Sequence, residues 1–236
     1  MSVRVLVVDD DPRAARQLAN VLATKYEVRT TADADAAMAS VRTWRPALII
    51  ADRNMPVVDG LELCRRVRQI STVPIIVVSP EPDAALEVAA LDGGADDYIR
   101  YPFGADTLLA RMRVALRRTM GTTEAAPLGV GEFHIDFHDR RVHVHGQPVR
   151  LTPKEFDLLV FMARHPNRVL EHRTLLGAVW GQAFEEQSEY LRVFVGQLRK
   201  KLESDPSNPR YFVTEPWVGY RFNPTGSMHA RASCRS

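Results

Sequence analysis

Aspartates at the ends of two short apolar runs are the residues in this sequence best suited to chemistry. The run Leu48–Ala51 ends at Asp52, and the run Val3–Val8 ends at Asp9 and Asp10. A short apolar run bounded by turn residues is typical of a strand buried on both faces of a parallel sheet. The carboxyl ends of such strands meet at one edge, where ligands collect. We therefore expect the three carboxylates to lie close together.

Three carboxylates at one edge predict a metal-assisted phosphoryl site. Carboxylates that share a site raise one another's pKa unless a cation lies between them. Oxygen ligation by few protein groups suits Mg²⁺, which keeps waters and is commonly shared with phosphate oxygens. One carboxylate would then be free to act as the nucleophile. A simple helix-cap or turn role is the alternative for each aspartate, and it explains Asp11 well.

The elements that position these residues alternate between strand and helix through residues 1–118. Such alternation implies a five-stranded parallel sheet covered by helices on both faces, with right-handed crossovers. Ser79 and Tyr101 would reach the same edge of this sheet as the aspartates. We predict strands at 3–8, 26–30, 47–51, 74–78 and 98–100, and helices at 13–24, 34–43, 61–70, 83–91 and from a cap at Asp106 to 118.

Residues 1–118 resemble the receiver domain of two-component response regulators. The similarity rests on LVVDDD (6–11), LIIADRNMPVVDG (48–60), PIIVVS (74–79) and GADDYIRYPF (94–103). It implies a flavodoxin-like α/β fold in which a sensor histidine kinase phosphorylates Asp52. By the same resemblance, Mg²⁺ is held by Asp9, Asp10, Asp52 and the backbone carbonyl of Asn54. Ser79 is then the switch hydroxyl, Tyr98 the aromatic that turns inward with it, and Pro102 a cis-proline.

Two departures from the receiver pattern predict weak or altered phospho-switching. The family has a lysine before the cis-proline, paired with the phosphoryl group, but this chain has Tyr101. A phenol cannot supply that positive charge, and strand alternation points Arg100 to the opposite face. Pro80 and Pro82 also restrict the loop that follows the switch serine.

The resemblance further implies a twofold interface on the last two helices of the receiver. A self-complementary set of charges around an apolar patch is what such an interface needs. Ordinary solvated surface charges are the alternative. One charge pair is missing, because Glu87 lies opposite Thr107. The predicted interface residues are Val88, Leu91, Asp92, Asp97, Leu109, Arg111 and Arg113.

A linker at 119–127 separates the receiver from a second region at 128–223. The segment TMGTTEAAP lacks apolar periodicity. After it we predict strands at 131–135, 141–145 and 148–151, and helices at 154–165, 172–180 and 188–203. The first of these helices would begin in a capping box, Thr152–Glu155. A hairpin at 212–214 and 220–222 follows, and residues 224–236 are predicted to be a disordered tail.

The helix at 188–203 is suited to bind DNA. Leu191, Val195, Leu198 and Leu202 form one apolar stripe that would anchor it. A helix with a buried stripe and basic side chains opposite can lie in the major groove, although charge runs are usually only solvated faces. The candidate DNA-contacting residues opposite the stripe are Arg192, Gln197, Arg199, Lys200 and Lys201.

The segments LTPKEFDLLVFM, VLEHRTLL, YLRVFVGQLRKKLE and GYRF give this region the order and spacing of an OmpR/PhoB winged helix-turn-helix domain. Within that family the sequence is most similar to the branch that regulates Kdp potassium uptake. The resemblance implies that 188–203 is the recognition helix and the hairpin is the wing. Arg192 and Gln197 would then contact base edges, and Arg199, Lys200 and Lys201 would contact phosphates. Trp217 stands where many relatives have a wing glycine, and it would pack or lie against sugars.

Composition agrees with a cytoplasmic DNA-binding regulator. The 236 residues are 45% hydrophobic and 25% charged, as in soluble globular proteins. Two cysteines indicate a reducing compartment, and no apolar run reaches transmembrane length. Residues 1–118 balance 16 basic against 16 acidic residues, whereas 128–236 hold 15 against 12 and all seven histidines. The histidines at 134, 138, 143 and 145 lack the spacing of a zinc site.

Three functions remain open on the sequence. The first is a phosphorylated regulator that dimerises and binds promoter DNA as a direct repeat. The second is a regulator that binds DNA independently of phosphorylation. The third is a phosphatase that uses Asp52, although no general acid is evident and a C-terminal winged helix argues against it.

Overall fold

The five apolar runs of the first half form a parallel sheet in the computed structural model, which describes residues 2–80, 83–117, 126–181 and 187–227. Its strand order is β2-β1-β3-β4-β5, as predicted for a doubly wound α/β fold. The strands are β1 (Arg4–Val8), β2 (Glu27–Thr31), β3 (Leu48–Asp52), β4 (Ile75–Ser79) and β5 (Asp97–Arg100). The helices are α1 (Pro12–Leu22), α2 (Ala34–Thr43), α3 (Gly60–Ile70), α4 (Ala84–Asp92) and α5 (Ala105–Arg117).

The three central strands are buried because helices cover both faces of the sheet. Residues 5–8 of β1, 48–51 of β3 and 75–79 of β4 are all buried. Continuous apolar runs, rather than alternating ones, are what a strand needs when both of its faces meet a helix. β2 lies at one edge and is correspondingly polar and more exposed.

Aspartates begin four of the receiver helices, and one predicted cap is wrong. Asp11, Asp33, Asp59 and Asp83 each accept a backbone N–H of the first turn of α1, α2, α3 and α4. Asp106, by contrast, lies inside the first turn of α5. The carbonyl of Gly104 accepts the first N–H groups of that helix instead. A carboxylate in the first turn still favours the helix through its dipole, which explains why the sequence pattern resembled a cap.

In the residues that the structure describes, the second unit contains two antiparallel sheets and three helices. One sheet has the order β6-β7-β8-β9 and the other β10-β12-β11. The predicted helices and hairpin are confirmed, whereas two short strands, β6 and β10, were not predicted. The strands are β6 (Leu128–Val130), β7 (Phe133–Asp136), β8 (Arg141–Val144), β9 (Gln147–Val149), β10 (Val169–Glu171), β11 (Phe212–Glu215) and β12 (Gly219–Phe222), and the helices are α6 (Pro153–Ala163), α7 (His172–Val179) and α8 (Ser188–Leu202).

The predicted tail begins too early. Pro224 and Gly226 are buried, and the carbonyl of Gly226 accepts Arg210 Nε at 2.8 Å. Residues 224–227 are therefore part of the folded unit. The remainder of the predicted tail (228–236), residues 118–125 of the linker region and Pro82 lie outside the described residues. In the described ranges, no helix combines the length and the apolar character needed to cross a membrane.

Candidate phosphoryl site and nucleic-acid interface

The three predicted aspartates meet at the carboxyl edge of β1 and β3. Val8 pairs with Ala51 across these parallel strands, so the residues that follow, Asp9 and Asp52, end side by side. Ligand oxygens of Asp9, Asp10 and Asp52 all lie within 4.8 Å of one another. Such an arrangement of oxygen atoms is suited to a hard divalent cation. The predicted convergence of the three carboxylates is confirmed.

Backbone N–H groups hold two of these carboxylates in place. Asp9 Oδ1 accepts the N–H of Asp11 at 2.9 Å, and Asp52 Oδ2 accepts the N–H of Asn54 at 2.8 Å. Each bond leaves the second carboxylate oxygen available for another ligand. Asn54 itself is exposed in the loop after β3.

Burial of the cluster raises the pKa of its inner members. Desolvation is the main cause that raises the pKa of Asp9 to about 6, and the negative charges of Asp52, Asp10 and Asp11 add to it. The pKa of Asp52 is also raised, first by desolvation and then by the charge of Asp10. The expected mutual effect of the carboxylates is present, but burial contributes more. A bound cation would favour the ionised forms.

Gly60 allows α3 to begin directly beside the acceptor. A Cβ at this position would lie 2.5 Å from the carbonyl oxygen of Asp52 and 3.0 Å from Cα of Arg53. The Gly60 N–H also donates to the carbonyl of Arg53 at 3.0 Å. A side chain would therefore push apart the strand end and the helix that fix Asp52. From the sequence, Gly60 could be identified only as a turn residue. Its close approach to the backbone of Asp52 became evident only from the structure.

The switch residues predicted by resemblance lie on the neighbouring strands. Ser79 ends β4 and is fully buried, and Tyr98 on β5 is 2% exposed, so its ring is turned inward. The Tyr101–Pro102 peptide bond is cis, which confirms that prediction. The backbone N–H of Tyr101 donates to the carbonyl of Ser79 at 2.8 Å.

Tyr101 brings a neutral phenol toward the carboxylates. Burial, together with a smaller effect of the negative charges of Asp9 and Asp52, raises the pKa of Tyr101 to about 12. Its ring stacks on Phe103 with centroids 4.3 Å apart. Arg100 points away, as alternation predicted, and pairs with Glu87 at 3.1 Å. Position 101 therefore supplies a hydroxyl and no positive charge to this edge of the sheet.

Arg53 is a residue that the sequence reasoning missed. Its positive charge lowers the pKa of Asp52, although by less than burial raises it. Its Nη1 donates to Asn54 Oδ1 at 2.6 Å. The one sequence feature that could have identified Arg53 was its position next to Asp52. Strand alternation alone would have turned it away from the site.

The predicted dimer face is partly occupied by contacts within the chain. Asp97 binds Arg111 at 2.8 Å inside one receiver, and both side chains are largely buried. Leu91 is 1% exposed and belongs to the interior, so its prediction as a surface contact is wrong. It faces inward because it lies on the same side of α4 as buried Glu87 and Ala90. The members at the surface, fully or in part, are Val88, Asp92, Leu109 and Arg113.

The apolar stripe predicted on α8 is confirmed. Leu191, Val195, Leu198 and Leu202 are all buried, and Tyr190 and Phe194 extend the buried side. Arg192 and Lys200 are exposed, and Gln197 is half-buried. Arg192 forms an exposed pair with Glu189 at 2.9 Å. Exposed pairs of this kind are worth little, about 0–1 kcal/mol, so Arg192 can exchange this partner for a nucleic acid.

Two residues predicted to contact phosphates already have partners within the chain. Arg199 donates to the carbonyl of Phe212 through Nε at 3.0 Å and to Thr214 Oγ1 at 2.7 Å. Burial also lowers the pKa of Arg199. Lys201 Nζ reaches both carboxylate oxygens of Glu155, at 2.8 and 2.6 Å. Helical periodicity places both residues near the edge of the buried stripe, which is why internal partners capture them.

A buried glutamate fixes the wing to the end of α8. Glu203 Oε1 accepts the backbone N–H groups of Tyr211 and Phe212 at 2.8 and 2.9 Å, and its Oε2 accepts that of Arg210 at 2.9 Å. Together with Arg199, it determines where β11 starts relative to α8. No sequence signal distinguishes Glu203 from other acidic residues at helix ends.

Trp217 stands at the tip of the wing and is 99% exposed. The Val218 N–H donates to Glu215, and Trp217 has φ 67°, as at the third position of a type II turn. That position favours glycine, so a large side chain here costs stability. The alternative that Trp217 packs against the protein is wrong. The indole therefore lies fully at the protein surface.

The histidines between 134 and 145 form no metal site of three or more ligands among the residues described. His134 and His143 pair across β7 and β8 with ring centroids 6.3 Å apart. His145 instead contacts the hydroxyl of Tyr211 at 3.0 Å. Tyr211 also bonds to Glu132, so this group is a structural cross-link of the second unit.

A doubly wound domain with three carboxylates at its carboxyl edge, followed by a winged helix-turn-helix, defines a DNA-binding response regulator. Residues 5–113 match the response regulator receiver domain, and residues 146–222 match the C-terminal domain of transcriptional regulatory proteins. The chain belongs to the OmpR/PhoB family of two-component response regulators, which regulate transcription.

Known response regulators are similar to this chain over almost its whole length. The KDP operon transcriptional regulatory protein KdpE of Escherichia coli K12 is 42% identical over 92% of this chain and 98% of its own length. The DNA-binding response regulator MtrA of Mycolicibacterium smegmatis is 39% identical over 95% and 98%. Among solved structures, the OmpR/PhoB homologue DrrB of Thermotoga maritima is 26% identical, with a TM-score of 0.50 over 94% and 100% of the two chains. These relatives are regulators, which argues against the phosphatase hypothesis.

Proposed function

We propose that Asp52 accepts a phosphoryl group from a sensor histidine kinase, with Mg²⁺ held by Asp9, Asp10, Asp52 and the backbone carbonyl of Asn54. The observation that carries this proposal is the set of carboxylate oxygens within 4.8 Å at one sheet edge. A carboxylate oxygen of Asp52 attacks phosphorus and the P–N bond of the phosphohistidine breaks, so that the electron pair of that bond stays on nitrogen and the imidazole leaves as a neutral ring that keeps the proton on its other nitrogen. The cation would neutralise charge on the phosphoryl oxygens.

Ser79 and Tyr98 are proposed to report the phosphorylation. Ser79 lies at the end of β4, next to the strand that carries Asp52, and its hydroxyl is a donor for a phosphoryl oxygen. Tyr98, on the neighbouring strand β5, is buried and already turned inward. The expected outcome is dimerisation through the α4–β5–α5 face, at whose surface Asp92 and Arg113 are exposed charges. Dimerisation would bring two winged helix domains together, and these would bind promoter DNA.

A second candidate function is DNA binding that does not depend on phosphorylation. The observation that favours it is Tyr101, whose pKa of about 12 keeps it neutral at physiological pH. A neutral hydroxyl forms a weaker bond to a phosphoryl oxygen than a lysine ammonium does. Pro80, in the loop after Ser79, adds a restriction to the movement of that loop. Phosphorylation could then occur while changing DNA binding little.

The two functions are separated by Tyr101→Lys. In the second function, the added ammonium should increase the yield or lifetime of phosphorylated Asp52 and strengthen the coupled dimerisation by about tenfold, because charge-assisted bonds exceed neutral ones by about 1–2 kcal/mol. Phosphorylation with acetyl phosphate, followed by sedimentation, measures both quantities. Tyr101→Phe is the matched control that removes only the hydroxyl. Full coupling in the wild type, unchanged by the lysine, would eliminate the second function.

The DNA interface is proposed to be the exposed side of α8 together with the wing. Arg192 and Gln197 are assigned to base edges, Lys200 to a phosphate and Trp217 to the sugar surface. Arg199 and Lys201 are reassigned to hold the wing and α6, because both already bond to other residues of the chain. Similarity to KdpE makes a kdp operon promoter the first DNA to test.

Arg192→Ala should reduce sequence preference at one or two base pairs. A bidentate arginine contact contributes about 1–3 kcal/mol of discrimination, so binding to the preferred site should fall by roughly ten- to a hundredfold. Binding to unrelated duplex DNA should fall much less. Footprinting and competition with unrelated DNA measure the difference. Arg173→Ala serves as a control for loss of one positive charge in the same unit, and an identical loss there would refute the base contact.

A further inference from the structure

Gly196 occupies the middle of α8 without a reason in the fold. Its backbone has no positive φ, so no conformation there requires glycine. A Cβ added to it would meet nothing within 4 Å. Glycine inside a helix is less favourable than alanine, because it loses more backbone freedom on folding. The protein therefore keeps a residue that weakens α8 at a place where alanine would fit.

The residues around Gly196 indicate why the absence of a side chain is useful at this position. Gly196 is half-buried and lies one helical turn from Arg192 and one turn from Lys200, both of which are exposed. Val193 is half-buried next to it, and the buried stripe lies on the other side. An open position between two basic side chains faces outward, toward whatever the helix binds. The charge of these neighbours favours an anionic partner.

We propose that Gly196 is the point at which the backbone of α8 comes closest to duplex DNA. This inference rests on the proposed DNA interface and sharpens it. An α-helix with its side chains is about 10–12 Å across, and the major groove is about 12 Å wide. A position without a side chain lets the helix axis sit deeper in the groove. Arg192 and Lys200 can then reach the nucleic acid on either side of the contact.

Close approach predicts opposite effects on stability and on binding. Gly196→Ala should raise the unfolding midpoint of the C-terminal unit by about 3–6 °C, because alanine favours the helix. The same substitution should weaken DNA binding by about tenfold, and Gly196→Leu should weaken it further, because a groove already filled does not accept added methyl groups. A misfolded variant could not show this combination.

The experiment uses the full chain and duplexes enriched by the wild type from a randomised pool. Dissociation constants are measured by fluorescence anisotropy at fixed salt, and unfolding is followed in parallel. Gly129→Ala is the matched control, since a Cβ in β6 also meets open space, and its DNA binding should not change. Binding that weakens with side-chain size while the midpoint rises supports the proposal.

Other outcomes overturn it. If the Gly196→Ala variant binds DNA as tightly as the wild type, the proposed close approach is wrong. The proposal is also wrong if Gly196→Ala and Gly196→Leu both lower the unfolding midpoint. Unchanged DNA binding with loss of transcription in vitro would place the contact on RNA polymerase instead. If Arg192→Ala weakens binding while Gly196→Leu does not, the interface stands and the close approach fails. If neither changes binding, the proposed interface itself is wrong.

Discussion

Asp52→Asn should reduce phosphoryl incorporation to background while leaving the receiver folded. The amide is no nucleophile toward phosphorus at neutral pH, whereas the carboxylate is. The side-chain amide oxygen can still accept the N–H of Asn54, which preserves the local geometry. Acetyl phosphate with and without Mg²⁺, followed by intact mass measurement, gives the amount of phosphorylated protein. Omission of Mg²⁺ should have nearly as large an effect in the wild type.

The matched control for Asp52→Asn is Asp11→Asn. Asp11 lies next to the cluster in sequence, but its carboxylate caps α1 by accepting the N–H of Arg13 at 2.8 Å. Asparagine caps a helix about as well, so labelling should be close to that of the wild type. Retained labelling of Asp52→Asn would show that another residue is the acceptor. Oligomer size and DNA affinity measured on the same samples report whether the phosphorylation is transmitted.

Glu203→Ala should destabilise the C-terminal unit by about 3 kcal/mol, roughly a hundredfold in its folding equilibrium. Three backbone N–H groups lose their acceptor together, and the carboxylate is a charged acceptor with little exposure to water. The beginning of β11 would then lose its fixed position relative to α8. Urea unfolding of the full chain, observed through tryptophan fluorescence, measures the change, because Trp180 and Trp217 both lie in this unit.

Glu189→Ala is the control for Glu203→Ala. Glu189 is also a glutamate of α8, but it is exposed and pairs with Arg192 at the surface. Removal of an exposed pair changes stability by about 0–1 kcal/mol. Glu203→Gln should be intermediate, because its amide keeps one oxygen for the N–H groups. Equal effects of Glu203→Ala and Glu189→Ala would show that the three bonds contribute nothing specific.

Local patterns in the sequence were sufficient for the architecture and the acidic site. Continuous apolar runs defined β1, β3 and β4, because a strand buried on both faces must be apolar throughout. Parallel pairing then brings strand ends to one edge by geometry alone, so the meeting of Asp9, Asp10 and Asp52 could be predicted. The stripe on α8 followed from helical spacing in the same way. The cis bond at Pro102 came only from resemblance to known receivers.

The tertiary structure decided which polar residues are available to a partner. Arg199 and Lys201 looked like phosphate contacts in sequence, but Phe212, Thr214 and Glu155 bind them inside the protein. Their partners are 13 to 46 residues away, and periodicity along one helix carries no information about such contacts.

The roles of Gly60 and Gly196 also depend on their surroundings in the folded chain. Gly60 is required because a Cβ there would collide with the backbone of Asp52 and Arg53, whereas a Cβ at Gly196 would meet nothing within 4 Å. Composition describes both simply as glycine. The sequence by itself determined which chemical groups lie at the sheet edge and along α8. Their burial, pKa and partners depend on distances between segments remote in the chain, and only the tertiary structure defines those distances.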